Sequence, residues 1–280
     1  MDNRGTQMKE KLNYLNVGCG SQYHKDWVNL DMNPVCSDVI RCNLLKGVPF
    51  PDEKFEVVYH SQVLEHLPKE KAFDFLKECH RVLKINGIIR VVVPDLENII
   101  DEYKKYLNEN IKNPNKETEA NYDWILLELY DQTVRNYSGG LMGKCLQQEK
   151  LFNKQYVTDR IGYLGHSGTK ITLPIPHDSN KIKQLILFSK RILSYTKRGI
   201  INLFLGEKYR LGKFRLGGEP HLWMYDRYSL TRLLKDVGFN DIKIKTIFES
   251  DIPNWNMYEL ELKDGMAYGT PNGLFIEAKK

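Results

Sequence analysis

The alternation of short apolar strands with one-sided helical segments constrains the fold of this chain more than any other feature. Strands are predicted over residues 12–17, 27–30, 39–42, 55–59 and 88–93, and a helix over residues 69–84. The run from Ile88 to Val93 is apolar except for Arg90, which is typical of a central parallel strand covered on both faces. Asn86-Gly87 is expected to end the preceding helix. Strands that alternate with helices predict an α/β fold with right-handed crossovers.

The alternation stops after Asp95 and returns near the carboxy terminus. Residues 111–219 are predicted to be mostly helical and irregular, whereas a helix over 225–235 and strands over 242–248 and 274–278 resume the pattern. We therefore expect a Rossmann-like, doubly wound, mostly parallel seven-stranded sheet formed by residues 1–110 and 220–280. Residues 111–219 would form a helical insertion before the last strands, facing the substrate as a lid.

The composition excludes several classes of protein. The 280 residues are 41% hydrophobic and 28% charged, as in a globular protein with a full core. No apolar run approaches the roughly 20 residues needed to cross a bilayer, and the amino-terminal residues lack the apolar stretch of a signal peptide. The five cysteines are scattered without a CxxC pair, which fits a reducing compartment, so we expect a cytoplasmic protein. No metal is expected, because the histidines lack ligand spacing.

Glycine or polar residues follow the first three predicted strands directly. Gly18 and Gly20 come after the first strand, where missing side chains let the backbone turn sharply and a ligand approach it. Asp31 ends the second strand and can accept both hydroxyls of a ribose, and Asn43 follows the third, where it can meet an adenine edge. Because ligands of open α/β sheets lie beyond the carboxyl ends of the strands, these positions predict a nucleotide-type site.

The spacing argues against a dinucleotide in this site. A dinucleotide fingerprint needs a third glycine where Tyr23 stands. Asp31 follows Gly18 by 13 residues (31 minus 18), whereas the dinucleotide pattern has about 20. The chain also lacks a GKS/T phosphate loop. A nucleotide-type ligand without a pyrophosphate fits this turn better.

Longer motifs give a specific resemblance. The segments LNVGCGS, VNLDMNP, CNLLKGVPFPDEKFEVVYHSQVLEHL, LKECHRVLKINGIIRVVVPDLENI and HLWMYDRYSLTRLLKDVGF resemble successive motifs of class I S-adenosylmethionine-dependent methyltransferases. More narrowly, they resemble the bacterial subgroup associated with glycan and cell-surface polysaccharide genes. The resemblance covers about residues 12–110 and 219–245.

The resemblance implies S-adenosylmethionine as the cofactor. By position it assigns eight residues to that ligand: Asn16, Gly18, Cys19, Gly20, Asp31, Asn43, Leu44 and His60. Asp31 would hold the ribose, while Asn43 and Leu44 would meet the adenine. Asn16 departs from the family, which usually has an acid there for the cofactor's amino group, and Asn43 replaces a frequent aspartate.

Four residues are candidates for a general base that would deprotonate an acceptor hydroxyl. His60, Glu65 and His66 follow the fourth predicted strand, and His221 comes after the insertion. A histidine titrates near neutrality, and a positioned base contributes about 10²–10⁴-fold to a rate. The structural alternative is that Glu65 and His66 only cap or pack the crossover. Asp95 is expected to cap a helix.

A basic segment lies within the predicted insertion. Residues 181–215 contain ten Lys or Arg and one acid, Glu207, which gives +9 (10 minus 1). Apolar residues interleave at helical spacing, a pattern typical of helices that contact a membrane surface or an anionic ligand. The segment therefore predicts peripheral contact with the inner membrane surface or a polyanionic acceptor. The alternative is a packed helix with a solvated basic face.

Three functions remain open from the sequence. The first is O-methylation of a sugar or surface-glycan precursor, and it rests on the resemblance alone. The second is methylation of a nucleic acid, which the basic segment favours. Against it, HSQV stands where enzymes that methylate base amines carry an Asn/Asp-Pro-Pro-aromatic motif. The third is a binding or scaffolding protein that keeps the fold without catalysis.

Overall fold

The computed structural model describes residues 13–148, 151–162, 206–263, 265–269 and 271–280. The chain forms two compact units. Unit 1 comprises residues 1–101, 160–163 and 222–280, and unit 2 comprises residues 102–159 and 164–221.

Unit 1 is built on a seven-stranded sheet. Its strands are β1 (Tyr14–Val17), β2 (Val28–Asp31), β3 (Val39–Arg41), β4 (Phe55–Ser61), β5 (Leu83–Val93), β6 (Asn240–Lys245) and β9 (Leu274–Lys279), and a small antiparallel pair consists of β7 (Leu262–Lys263) and β8 (Met266–Ala267). The strand order is β3-β2-β1-β4-β5-β9-β6. Strands β1 to β5 pair in parallel, whereas β9 runs antiparallel to both β5 and β6. The predicted mostly parallel seven-stranded sheet is confirmed.

Helices lie before, within and after the insertion along the chain. They are α1 (Lys69–Val82), α2 (Leu96–Lys112), α3 (Lys116–Leu126), α4 (Gln132–Val134), α5 (Gly140–Leu146), α6 (Lys154–Ile161), α7 (206–215) and α8 (Arg227–Val237). Helix α8 begins after Asp226, whose carboxylate accepts hydrogen bonds from the N–H groups of Tyr228 and Ser229. It ends at Gly238, which adopts a left-handed φ of 114°.

The Asn86-Gly87 pair does not end α1, as the sequence suggested. The helix ends at Val82, and the pair lies inside β5, where the pairing register with β4 shifts. Asn86 has a φ of 64°, and a Cβ on Gly87 would lie 2.8 Å from the Lys84 carbonyl oxygen. The pair therefore forms an irregularity within a paired strand, because strand pairing overrides the local turn preference.

The two faces of the sheet are covered differently. Helices α1 and α8 pack on one face, where Leu15, Val58 and Ile89 belong to the larger core. No helix forms within residues 18–27 or 32–38, all of which the structure describes. Residues 247–262 cover the opposite face instead, and Trp255 packs there at 6.1 Å between ring centroids from Trp27.

Buried Arg90 anchors this covering segment to β5. Its guanidinium donates to both carboxylate oxygens of Glu261 (2.9 and 2.6 Å) and to Glu277 (2.8 Å). It also donates to the carbonyls of Thr246 and Glu249. Removing one partner of such a buried ion pair typically costs about 3–5 kcal/mol. Arg90, the charged residue in the otherwise apolar run 88–93, thus holds in place the segment that covers the second face.

Unit 2 has its own buried residues and its own polar network. Trp124 and Ile125 of α3 are buried, and Asp131 accepts hydrogen bonds from the N–H of Leu141 (2.7 Å) and from Arg135 (3.0 Å). Glu219 accepts from the N–H of Gly139 and from Arg135.

Within the described ranges, no helix combines the length and apolar character needed to cross a membrane.

Candidate functional site

A tight glycine turn follows β1. The N–H groups of Gly18 and Cys19 both donate to the Leu30 carbonyl, at 2.7 and 3.0 Å. Gly18 has a φ of 71°, and a Cβ there would lie 2.5 Å from Val63 Cγ2. Position 18 therefore requires glycine both for its backbone conformation and for its close approach to the segment after β4.

Gly20 and Asp31 form an open edge beside this turn. Gly20 has a φ of 53°, and apart from its chain neighbours no atom of the described residues lies within 4 Å of the position that its Cβ would take. Its N–H donates to the Asp31 carboxylate at 2.9 Å, and the Asn33 N–H donates to the other oxygen at 2.7 Å. The half-buried carboxylate is thereby fixed next to bare, accessible backbone. This cradle fits the ribose of a nucleoside.

Asn16 and Cys19 are buried at the glycine turn. Asn16 is buried in β1, and its side-chain amide donates to the Gln22 carbonyl at 2.9 Å, which ties the loop back to the strand. Burial, followed by the charge of Asp31, raises the pKa of the Cys19 thiol to about 12. The thiol is therefore protonated at neutral pH.

Asn43 and Leu44 begin a single helical turn after β3. The Asn43 side-chain oxygen accepts a hydrogen bond from the Leu45 N–H at 3.1 Å and caps the 3₁₀ helix Leu44–Lys46. Asn43 is exposed, whereas Leu44 packs partly against the core. Both positions stay predictions as adenine contacts.

His60 is enclosed in the core. Its ring is fully buried and meets Phe75 of α1 edge-on, at 5.1 Å between ring centroids. Burial lowers its pKa to about 3, so the ring is neutral, and neither nitrogen has a hydrogen-bond partner among the described residues. With a pKa of about 3 the ring is a weak base, so His60 is poorly suited to accept a proton from an acceptor hydroxyl.

Glu65 and His66 lie together in the 3₁₀ helix Leu64–His66 that follows β4. Glu65 is 0% exposed, and burial raises the pKa of its carboxyl to about 8. His66 is partly exposed, with Nε2 3.9 Å from Glu65 Oε1. The structure thus gives Glu65 the perturbed pKa near neutrality that is expected of a general base.

Residues 222–225 complete the surroundings of Glu65 in unit 1. The Glu65 carbonyl accepts hydrogen bonds from the N–H groups of Leu222 (2.7 Å) and Trp223 (3.2 Å). Tyr225, which sequence analysis did not select, is 3% exposed, and the Glu65 charge adds to burial in raising its pKa to about 12. No local sequence pattern marks this tyrosine as functional.

His221 and Asp95 have backbone roles. The His221 N–H donates to the Gln132 carbonyl at 2.9 Å within unit 2, and the side chain is buried. Its role as a base stays a prediction. Asp95 accepts a hydrogen bond from the Glu97 N–H at 3.0 Å at the start of α2, in keeping with the predicted cap.

Residues 15–91, which contain the glycine turn, Asp31 and Glu65, match the family model of a methyltransferase domain. The match to this family is limited to residues 15–91 of the 280. The chain is an enzyme, and its cofactor is S-adenosylmethionine. A search of curated proteins found no match.

Solved structures give weak likenesses to this methyltransferase. A S-adenosylmethionine-dependent methyltransferase from Archaeoglobus fulgidus is 14% identical, with 96% of this chain and 86% of that chain covered and a TM-score of 0.37. One from Thermotoga maritima is 13% identical, with 96% and 82% covered and a TM-score of 0.37. At such TM-scores these structures add nothing to the fold that the strand order already defines.

Replacing Glu65 by Gln should weaken the pH dependence of stability. The carboxyl pKa rises from 4.5 to about 8 on folding, so the associated stability is fully present below about pH 4.5 and is lost as pH rises through about 8. Gln does not ionise. We expect the free energy of unfolding of Glu65→Gln to exceed that of wild type by a few kcal/mol at about pH 9, and the two to be similar near pH 5.

Urea unfolding at several pH values measures this difference. Glu70→Gln, at an exposed position of α1, is the matched control and should follow wild type. A wild-type protein that is the more stable of the two at about pH 9 would contradict the assignment of a buried, reluctantly ionised Glu65.

Proposed function

We propose that this methyltransferase transfers a methyl group to a hydroxyl of a sugar or surface-glycan precursor, with Glu65 as the general base. The observation that carries the proposal is the fully buried Glu65 carboxyl, whose pKa of about 8 lies close to neutrality. It lies two residues after Val63, which packs on the glycine turn. A base is thereby held at the sheet edge where the proposed cofactor cradle lies.

Gly18, Gly20 and Asp31 would hold the cofactor. The turn offers bare backbone at Gly20, and the Asp31 carboxylate, already oriented by two N–H groups, can accept hydrogen bonds from ribose hydroxyls. Asn43 and Leu44 would lie near the adenine, at the end of the neighbouring strand. Asn16 would act through the loop that it holds at Gln22.

Methyl transfer to a hydroxyl needs an acceptor that is aligned with the methyl group and a base that accepts one proton. Bound S-adenosylmethionine would supply an electrophilic methyl group on a sulfonium sulfur, which would keep the electron pair of the C–S bond. The acceptor oxygen would bond to that methyl group and pass its proton to the Glu65 carboxylate. Orientation of the acceptor can contribute about 7–11 kcal/mol to lowering such a barrier, and the base about 10²–10⁴-fold in rate.

A sugar acceptor is favoured by the surroundings of Glu65 and by the sequence resemblance. Trp223 and Leu222, whose N–H groups bind the Glu65 carbonyl, are each 39% exposed. An exposed aromatic ring next to a polar group is typical of sites for partly apolar, hydroxyl-bearing ligands. Nucleic acid is the second candidate acceptor and becomes an outcome of the test below.

Calorimetry with S-adenosylmethionine tests the cofactor cradle. We expect wild type to bind at micromolar levels and Asp31→Ala to show no binding heat, because the variant loses the acceptor of the ribose hydroxyls. Asp74→Ala, on the exposed face of α1, is the matched control and should bind like wild type. Equal affinity of wild type and Asp31→Ala would remove the ribose assignment.

Transfer of a labelled methyl group tests the acceptor. Purified enzyme and labelled cofactor are incubated with lysate fractions that separate lipid-linked glycans, free sugars and RNA. We expect label in a glycan or sugar fraction and a loss of about 10²-fold or more in Glu65→Gln, since that variant cannot accept the proton. Label confined to RNA would overturn the sugar proposal.

We also propose that the enzyme works in the cytoplasm at an anionic membrane surface. Residues 181–205 of the predicted basic segment lie outside the described residues, whereas residues 206–215 form α7. Its Lys208, Arg210 and Lys213 are exposed, and so are the nearby Tyr209 and Leu216. Cations beside exposed apolar side chains suit the headgroup region of anionic lipids, at about 1 kcal/mol per cation.

Flotation with liposomes tests this contact. We expect recovery with vesicles that contain anionic lipid and little with neutral vesicles at low salt. Replacing Lys208, Arg210 and Lys213 by Gln should reduce recovery several-fold. Replacing the exposed Lys71, Lys77 and Lys235 of unit 1 by Gln is the control and should have little effect. Equal recovery with both kinds of vesicle would refute the proposal.

A further inference from the structure

Trp223 differs from the other tryptophans of the chain in its exposure. It is 39% exposed, as is Leu222 before it. The other three tryptophans are buried: Trp27, Trp124 and Trp255. A large aromatic ring gains stability from burial, and rings that stay at the surface are enriched where a protein contacts a ligand or partner. The exposed part of the Trp223 ring is therefore a candidate contact surface of unit 1.

Lys69 places its charge over this ring. Its Nζ lies 3.9 Å from the centroid of the Trp223 ring, the attractive geometry of a cation above an aromatic face. Lys69 is the exposed first residue of α1, and the residues three and four further along the helix are Ala72 and Phe73. Those two are its neighbours on the helix surface, and neither is acidic. Within the part of the chain that the structure describes, no carboxylate forms an ion pair with Lys69.

Two contacts join the Lys69–Trp223 pair to the segment of the proposed base. The Glu65 carbonyl accepts hydrogen bonds from the N–H groups of Leu222 (2.7 Å) and Trp223 (3.2 Å). Lys69, four residues after Glu65, then reaches the ring of the same tryptophan. Residues 65–69 are thus held to Trp223 at both of their ends. A ligand on the exposed part of the ring would lie beside the segment that carries Glu65.

The chemistry of this pair favours a sugar that carries a negative charge. The C–H face of a sugar packs on an aromatic ring, and an ammonium group binds a carboxylate or phosphate through charge-assisted hydrogen bonds. Glu65 can accept a proton only as a carboxylate, which would repel an anionic acceptor. Lys69 supplies the opposite charge on the same segment of the chain, and no acid of the described residues neutralises it.

We propose that Lys69 and Trp223 form the part of the acceptor site that selects a sugar bearing a carboxylate or a phosphate. The inference rests on the proposed function and names the class of its sugar acceptor. The C–H face of the sugar packs on the exposed part of the indole ring. Its anionic group accepts hydrogen bonds from the Lys69 ammonium group, which leaves the hydroxyl groups of the sugar to face the Glu65 segment.

Acrylamide quenching of the tryptophan fluorescence of the full chain tests this subsite, because Trp223 is the exposed tryptophan. The probes are glucose, glucuronate and glucose 6-phosphate, which share one ring and differ in the group at C6. We expect at least one charged sugar to protect Trp223 from quenching at about 10-fold lower concentration than glucose, since a charge-assisted hydrogen bond is added. Added salt should weaken that protection, and Lys69→Gln should abolish the difference.

Lys71→Gln is the matched control for Lys69→Gln. Lys71 is also an exposed lysine of α1, but it pairs with Asp74. This variant should keep the wild-type preference for a charged sugar. Equal protection by charged and neutral sugars, protection by none of them, or a preference that persists in Lys69→Gln would contradict the subsite. No methyl donor is used, so these outcomes leave the test of the sugar acceptor by labelled methyl transfer to stand or fall separately.

Discussion

The close approach of the Gly18 backbone to Val63 is the contact on which the site depends. A side chain at position 18 would lie 2.5 Å from Val63 Cγ2, so the turn after β1 can meet the segment after β4 only as glycine. The same turn binds the Leu30 carbonyl through two N–H groups and thereby sets the end of β2, where Asp31 reaches Gly20. One contact between neighbouring strand ends thus fixes the cradle, its carboxylate and the segment that carries Glu65.

The enclosure of Glu65 opposes stability at neutral and alkaline pH. A fully buried carboxyl with a pKa of about 8 resists ionisation, and neither of its oxygens finds a donor in the part of the chain that the structure describes. Buried polar groups without partners are costly, and they concentrate where function needs them. The proposed role of Glu65 as the general base explains why this cost is retained.

The sheet face opposite α1 and α8 is covered although the first two crossovers contain no helix. Residues 247–262 take the place of helices there and pack aromatic side chains such as Trp255 against Trp27. Arg90 fixes this cover through Glu261 and Glu277, which lie 171 and 187 residues further along the chain. The carboxy-terminal part of the chain therefore completes the core beneath the strands whose ends form the site.

The sequence by itself determined the strands, the glycine turn and Asp31, because side-chain periodicity and the backbone freedom of glycine act over a few residues. The sequence indicates four candidate bases, His60, Glu65, His66 and His221, without distinguishing among them. Only the tertiary structure buried His60 against Phe75 and enclosed Glu65, whose carbonyl binds the N–H of Leu222, 157 residues away (222 minus 65). It also placed Asn86-Gly87 inside a strand through pairing with β4. Burial, pKa and strand pairing depend on neighbours that are distant in the chain, and local patterns do not contain them.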